Sequence, residues 1–180
     1  MPEPASRART TIRRARPADV DALVAIGVGT YREHFADLWT PAGLEAFLAR
    51  QFDAATLGAE LEGDAVRYDF VFVGDELAGF SKVIRDQPVP LRDGERGLEL
   101  QKIYFRRDAT RRGFGAALIE HLLDVAAAAR EPAIWLHVLK DNTGASRFYR
   151  RLGFADLGER ELPVDRGTAT MCVMRRALES

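Results

Sequence analysis

Between Leu98 and Val138 the chain reads as a strand, a glycine turn, a long amphipathic helix and a second strand. The first strand is Leu98 to Phe105. The helix places Phe114, Leu118, Leu122, Val125 and Ala129 on one face. After Pro132, which ends the helix, Ile134-Trp135-Leu136-His137-Val138 supplies the second strand. A crossover of this length joins parallel neighbours, through a right-handed connection. The rest of the chain is therefore read around a sheet that holds a parallel pair.

Upstream, Thr11 to Ala15 reads as a short first strand, and Pro17 opens a helix whose apolar face is Val20, Leu23, Val24 and Ile26. That helix runs towards Tyr31–Phe35, with Gly27 and Gly29 as weak points. Thr40-Pro41 starts a second helix, with Leu44, Phe47 and Leu48 at helical spacing, and Ala54 to Glu62 forms a third that ends at Gly63. Tyr68–Val73 and Leu77–Ile84 flank a tight turn and read as paired strands, and Gln87–Gly97 reads as a loop. Asn142 to Leu152 is a helix with Gly153 at its exit. Two strands, Ala155–Leu162 and Thr168–Arg175, follow it. The expected fold class is α/β (or α+β) with a mixed central sheet, built as one domain over 10–180 behind a flexible tail over 1–9.

The turn itself carries chemistry. Ile103-Tyr104-Phe105-Arg106-Arg107-Asp108-Ala109-Thr110-Arg111-Arg112-Gly113-Phe114-Gly115-Ala116 sets two glycines and a run of arginines where a strand meets a helix N-terminus. The first helical turn has unpaired N–H groups and the positive end of the dipole. Glycines remove the Cβ atoms that would hold a phosphate away from those groups. Arg111 and Arg112 add charge, which completes a phosphate socket. An ordinary strand-to-helix turn accounts for Gly-x-Gly equally well on its own. The run is not a Rossmann fingerprint, because Leu118 occupies the place of the third glycine. Nor is it a P-loop, because no Gly-Lys-Ser/Thr follows.

A second segment, Asn142-Thr143-Gly144-Ala145-Ser146-Arg147-Phe148-Tyr149-Arg150-Arg151-Leu152-Gly153-Phe154, lies about thirty residues beyond the first. Together the two resemble the GNAT superfamily of N-acetyltransferases, whose late motif is Asn-x-x-Ala-x-x-Phe-Tyr-x-x-x-Gly-Phe. Every named position of that motif is present here. Glu99-Leu100-Gln101-Lys102-Ile103-Tyr104, Ile134-Trp135-Leu136 and Tyr31-x-x-His34-Phe35 look most like the spermidine/spermine acetyltransferase branch. Thr110 is a departure, since the superfamily usually has Gln or Arg three residues before the first glycine.

The resemblance implies a twisted sheet of about seven strands flanked by helices, and acetyl-CoA as cosubstrate with no metal. It further implies that Ile103, Tyr104 and Phe105 hold the pantetheine arm through their backbone, like an added strand. Arg111, Arg112, Gly113, Phe114, Gly115 and Ala116 would wrap the pyrophosphate, Asn142 would bond the pantetheine, and Phe148 would wall the cofactor. Asn142 is equally suited to capping its helix, and Phe148 to packing against Ala145 and Leu152.

For the reaction, an alkylamine with a pKa near ~10.4 is a free base in only about one molecule in ~10³ at neutral pH, a cost of roughly 4 kcal/mol. A proton acceptor is needed, and a proton donor for the leaving sulfur. Tyr149 is the acid that the resemblance suggests. Glu99, acting through water, is the base candidate, with His137 as its rival on the neighbouring strand. Tyr31, His34, Phe35 and His137 are candidates for the acceptor pocket. The acidic Glu60, Glu62, Asp64 and Asp69 would suit a polycation or simply a solvated face.

Charge excludes a further class. With 26 basic and 27 acidic residues the chain has a formal charge of −1, without the basic excess of a nucleic-acid binder. Glu120, His121, Asp124 and Arg130 interrupt the best apolar run, so no membrane span is expected. The single cysteine, Cys172, is read as buried and inert, and points with the absence of a signal peptide to the cytoplasm. The leading reading is direct acetyl transfer to the primary amine of a small molecule, possibly a polyamine, by an enzyme that could form a homodimer. Alternatives are acetylation of a protein N-terminus, amino acid or antibiotic amine, a non-catalytic CoA-binding sensor, and a purely structural helix–sheet protein.

Overall fold

The structure, a computed structural model, describes residues 9–110, 112–164 and 167–178. The expected tail over 1–9 therefore falls almost wholly outside the described residues. Strand β1 (Thr10–Arg14) leads through a 3₁₀ turn at Pro17–Asp19 into helix α1 (Val20–Phe35). Helices α2 (Pro41–Gln51) and α3 (Ala54–Glu62) follow. Then come β2 (Val66–Val73), β3 (Glu76–Pro88), β4 (Arg96–Phe105), α4 (Phe114–Ala128), β5 (Ala133–Leu139), α5 (Thr143–Arg151), β6 (Ala155–Val164) and β7 (Gly167–Ala177). The strands form one sheet in the order β1-β2-β3-β4-β5-β7-β6. Every pairing is antiparallel except β4 with β5, the pair joined by the α4 crossover.

Two hydrophobic layers cover this sheet. On one face Leu118, Ile119, Leu122 and Ala126 of α4 and Tyr149 of α5 pack with Val71, Val83, Leu98, Leu100, Ile134 and Leu136. On the other, α1, α2 and α3 bring Leu23, Ile26, Leu44, Leu48 and Leu57 onto Tyr68, Phe70 and Phe80. The caps match their residue types: Thr40 accepts from Gly43 N–H at 3.1 Å and Asp53 from Thr56 N–H at 2.8 Å.

Helix α1 runs unbroken through Gly27 and Gly29, and the ring of Phe52 lies within 2.2 Å of where a Cβ on residue 27 would stand. Gly27 is thus a close-packing position rather than a weak point. The Gln87–Gly97 loop is shorter than expected, because Gln87 and Pro88 still pair with Gly97 and Arg96. Helix α4 buries Ile119 and Ala126 where Val125 and Ala129 were expected, and it ends at Ala128, ahead of Pro132, with Arg130 in left-handed backbone (φ 57°). Cys172 is half-buried, not fully enclosed.

Asp69 of β2 is fully buried. Arg67 donates two bonds of 2.8 Å to its carboxylate, and His121 of α4 donates one of 3.1 Å from Nε2. Burial pushes the Asp69 carboxyl up, but the bonds from His121 and Arg67 outweigh this and hold it below the usual range. Asp69→Asn should cost about 3 kcal/mol, the low end for a broken buried pair because both partners keep some exposure to water. The wild-type contribution is complete above the unfolded carboxylate pKa of ~3.9 and disappears as pH falls through the lower folded value. Thermal melts against pH should therefore show an acid limb that is shallower in the variant.

Candidate active site

The sheet comes apart at its centre. Strands β4 and β5 pair through only three rungs, Leu98–Ile134, Glu99–Trp135 and Leu100–Leu136. Just past them Gln101 is an extra residue: Lys82 of β3 faces Lys102, and Val83 faces Leu100. Such a bulge bends its strand, and here it comes where β4 leaves β5. The backbone edge of residues 101–105 consequently has no strand beside it among the described residues. A cavity of about 720 Å³ fills the parting, lined from one face by Tyr149 and Ala145 of α5 and from the other by Tyr31 and Phe35 of α1. It passes through the sheet.

On the α5 side, Asn142 accepts from Ala145 N–H at 3.0 Å and so caps the helix. With its carbonyl committed, the side-chain amide hydrogens are what Asn142 can offer to a ligand in the cavity. Tyr149 is 7% exposed, and its ring lies edge-on to Phe148 and Phe154 at 5.2 and 5.5 Å. Burial pushes its phenol far up, so at neutral pH it donates a proton and does not accept one. Phe148 does not line the cavity. Its ring lies 3.2 Å from the position of a Cβ on residue 115, so Gly115 is glycine to admit Phe148 and thereby ties α5 to the start of α4.

At the start of α4, Gly113 is the N-cap with φ +85°, a backbone shape costly to other residues, and nothing stands within 4 Å of a Cβ built there. The N–H groups of Phe114, Gly115 and Ala116 are first-turn donors next to open space. Arg112 is exposed and its guanidinium lies 5.3 Å over the Phe114 ring. Arg111 lies outside the described residues. Thr110 donates from Oγ1 to Arg107 O at 2.7 Å, which closes the preceding 3₁₀ turn, and it also lines the cavity.

The α1 side is aromatic. Tyr31 lies 4.9 Å from Phe35 and 4.7 Å from Phe47, Trp39 lies 4.5 Å from Phe47, and Phe35 lies 5.4 Å from Tyr104. Trp39 Nε1 donates to the Tyr31 hydroxyl at 3.1 Å. His34 donates from Nε2 to Phe105 O at 2.7 Å, so it pins α1 to β4 while its ring lines the cavity. Glu99 is half-buried, and that burial raises its carboxyl above the usual range against the pull of Lys102 and Lys82. His137 also lines the cavity. Burial lowers its pKa, and its Nε2 is buried with no partner among the described residues.

The acidic residues are elsewhere. Glu60 accepts from Lys82 Nζ and Tyr68 OH, Asp69 lies under α4, and Asp64 sits 3.7 Å from Arg14. Glu62 lines a separate small pocket with Arg14 and Arg16. Sequence reasoning missed Trp39, which lies between two helices where no periodic pattern reaches it, and treated Phe47 only as helix packing. It also missed Lys102, a buried amine held by Gln51 and Gln101 whose pKa burial lowers to about 8. Leu98, Leu100 and Lys102 are all buried, so alternation along β4 was the signal that could have found it.

A sheet parted along a parallel pair, with helix-terminal amides at one end and a phenol and a carboxylate on the cavity, has room for an extended ligand to meet a second one. This is the architecture of a coenzyme A-dependent acyltransferase. The chain belongs to the acetyltransferase (GNAT) family, whose model matches residues 30–154, and it is an acetyl-CoA-dependent N-acetyltransferase. It is 26% identical over 160 residues (89% of this chain, 92% of the relative) to an uncharacterized N-acetyltransferase in the pepI 3′ region of Lactobacillus delbrueckii subsp. lactis. In fold it is similar to the PaiA N-acetyltransferase of Thermoplasma acidophilum, solved in complex with coenzyme A (TM-score 0.71, 16% identity, 94% of this chain and 99% of that one). The ribosomal-protein-S18-alanine N-acetyltransferase of Escherichia coli is similar also (TM-score 0.66, 22% identity, 96% of each chain). No helix among the described residues is long and apolar enough to cross a membrane.

Proposed function

We propose that this enzyme acetylates the primary amine of a small molecule by direct transfer in a ternary complex, in the cytoplasm, a placement that the unpaired Cys172 supports. The observation that carries the reading is the single cavity that reaches Tyr149 and Glu99 through the parted sheet. Acetyl-CoA, when bound, supplies an acetyl group already activated as a thioester. The open edge of β4 over residues 101–105 offers main-chain groups to an extended arm, apart from Phe105 O, which His34 already engages. Asn142 offers amide hydrogens to the same arm, and the first-turn N–H groups beside Gly113 receive phosphate oxygens. Glu99 accepts the ammonium's first proton through water and passes it to solvent. The free amine forms the N–C bond, the C–S bond breaks, Tyr149 gives its proton to the leaving sulfur, and the second proton shed by the acetylated nitrogen restores the phenol. Alignment within the cavity contributes about 7–11 kcal/mol of the acceleration.

Calorimetry with acetyl-CoA tests this reading, and absence of binding overturns it. Gly113→Ala should weaken acetyl-CoA by about 10-fold, matching the loss of one charge-assisted bond of about 1.5 kcal/mol. Thiol release with an amine separates the enzyme from a CoA-binding sensor, which would bind and release nothing.

A further inference from the structure

The acceptor side of the cavity has the wrong chemistry for a polycation. Among its described lining residues Glu99 is the sole carboxylate, and no Lys or Arg is present. The carboxylates nearest along α1 and α2 are engaged: Glu33 accepts from Arg107 N–H at 2.8 Å, and Glu45 pairs with Arg32 at 2.8 Å. Asp37 is exposed and does not line the cavity. A triamine would have one ammonium at Glu99 and would bring the others against rings and aliphatic walls, where an unpaired charge is costly. The far wall is apolar as well, formed by Leu162, Pro163, Ala169 and Met171 of the terminal hairpin.

The rings do have a use. Tyr31, Phe35, Trp39, Phe47 and Tyr104 form a continuous cluster with centroid separations of 4.5 to 6.0 Å, on the same cavity that holds Glu99. Spacings in this range suit edge-on and offset contact, the arrangement by which a further flat ring is taken up. One carboxylate for one ammonium, next to an aromatic wall, is the complement of an amine with a single charge and an aryl tail. We infer that the acceptor is a primary arylalkylamine, its nitrogen at Glu99 and its ring among Tyr31, Phe35, Trp39 and Phe47. The inference rests on the acetyltransferase reading above and names the substrate class of that site.

The test measures thiol release from acetyl-CoA with 2-phenylethylamine, ethylamine and spermidine, beside calorimetry of acetyl-CoA alone. The expected kcat/KM for 2-phenylethylamine exceeds that for each of the other two by about 10-fold or more, as a ring-sized apolar contact allows. Phe47→Asp, which adds a second carboxylate, should shift the spermidine to 2-phenylethylamine ratio at least 10-fold towards spermidine. A merely damaged fold would lower both amines together. Should Phe47→Asp fail to fold, Trp39→Leu serves instead and should reduce the 2-phenylethylamine to ethylamine ratio. Acetyl-CoA binding with spermidine the better substrate, or with no preference among the amines, or with no release from any of them, overturns the arylalkylamine assignment and leaves the coenzyme site standing. No acetyl-CoA binding overturns both.

Discussion

Glu99→Gln is expected to lower kcat by about 10²–10³-fold, within the range for loss of a positioned general base, with little change in acetyl-CoA affinity. The substitution keeps the shape of a half-buried side chain and removes only its capacity to accept a proton. An alkylammonium must lose a proton whose removal at neutral pH costs roughly 4 kcal/mol. Burial raises Glu99 above an ordinary carboxylate, which makes it a better acceptor than a solvated Glu. Wild-type kcat should fall as pH drops through the raised Glu99 pKa, where the base becomes protonated. In the variant that acid limb should vanish, leaving the rise towards the amine's own pKa near ~10.4. An unchanged acid limb in Glu99→Gln would move the assignment to His137, which lines the same cavity.

Tyr149→Phe should lower kcat by about 10²-fold, the low end for general acid catalysis, and leave the melting temperature nearly unchanged. The ring contacts with Phe148 and Phe154 survive in the variant, since only the hydroxyl is removed. Because burial raises the phenol, its proton is held throughout the working range. The leaving thiolate needs that proton less as pH rises past an ordinary thiol pKa of ~8.5. The defect should therefore shrink in alkaline solution, which a structural defect would not do. Full activity in Tyr149→Phe at neutral pH would remove the tyrosine from the reaction.

Much of the fold was legible because its signals are local. Pro17, Thr40-Pro41 and Asn142 each start a helical segment where their chemistry demands one, and a long crossover left β4 and β5 no choice but parallel pairing. The site was legible in part. Motif positions such as Asn142 and Tyr149 lie on the cavity, as do Ile103, Tyr104 and Phe105. Phe148 could not be assigned from spacing, because whether a ring faces a cavity or Gly115 depends on how α5 crosses α4. The ring wall was hidden for a similar reason: Trp39 and Phe47 meet Tyr31 only through the fold of the Ala36–Leu38 turn. Nor did any local pattern announce the one-residue bulge at Gln101, although the gap depends on it.

The end of α1 is bolted to the approach of the glycine turn. His34 donates to Phe105 O, Glu33 accepts from Arg107 N–H, and the Arg107 guanidinium reaches back to Glu33 O. Ring-bearing residues on one side and the segment proposed to face phosphate on the other thus share a direct connection. Whatever orders one side lessens the entropic cost of ordering the other. The two substrates should therefore favour each other's binding, and by thermodynamic reciprocity each must do so by the same factor.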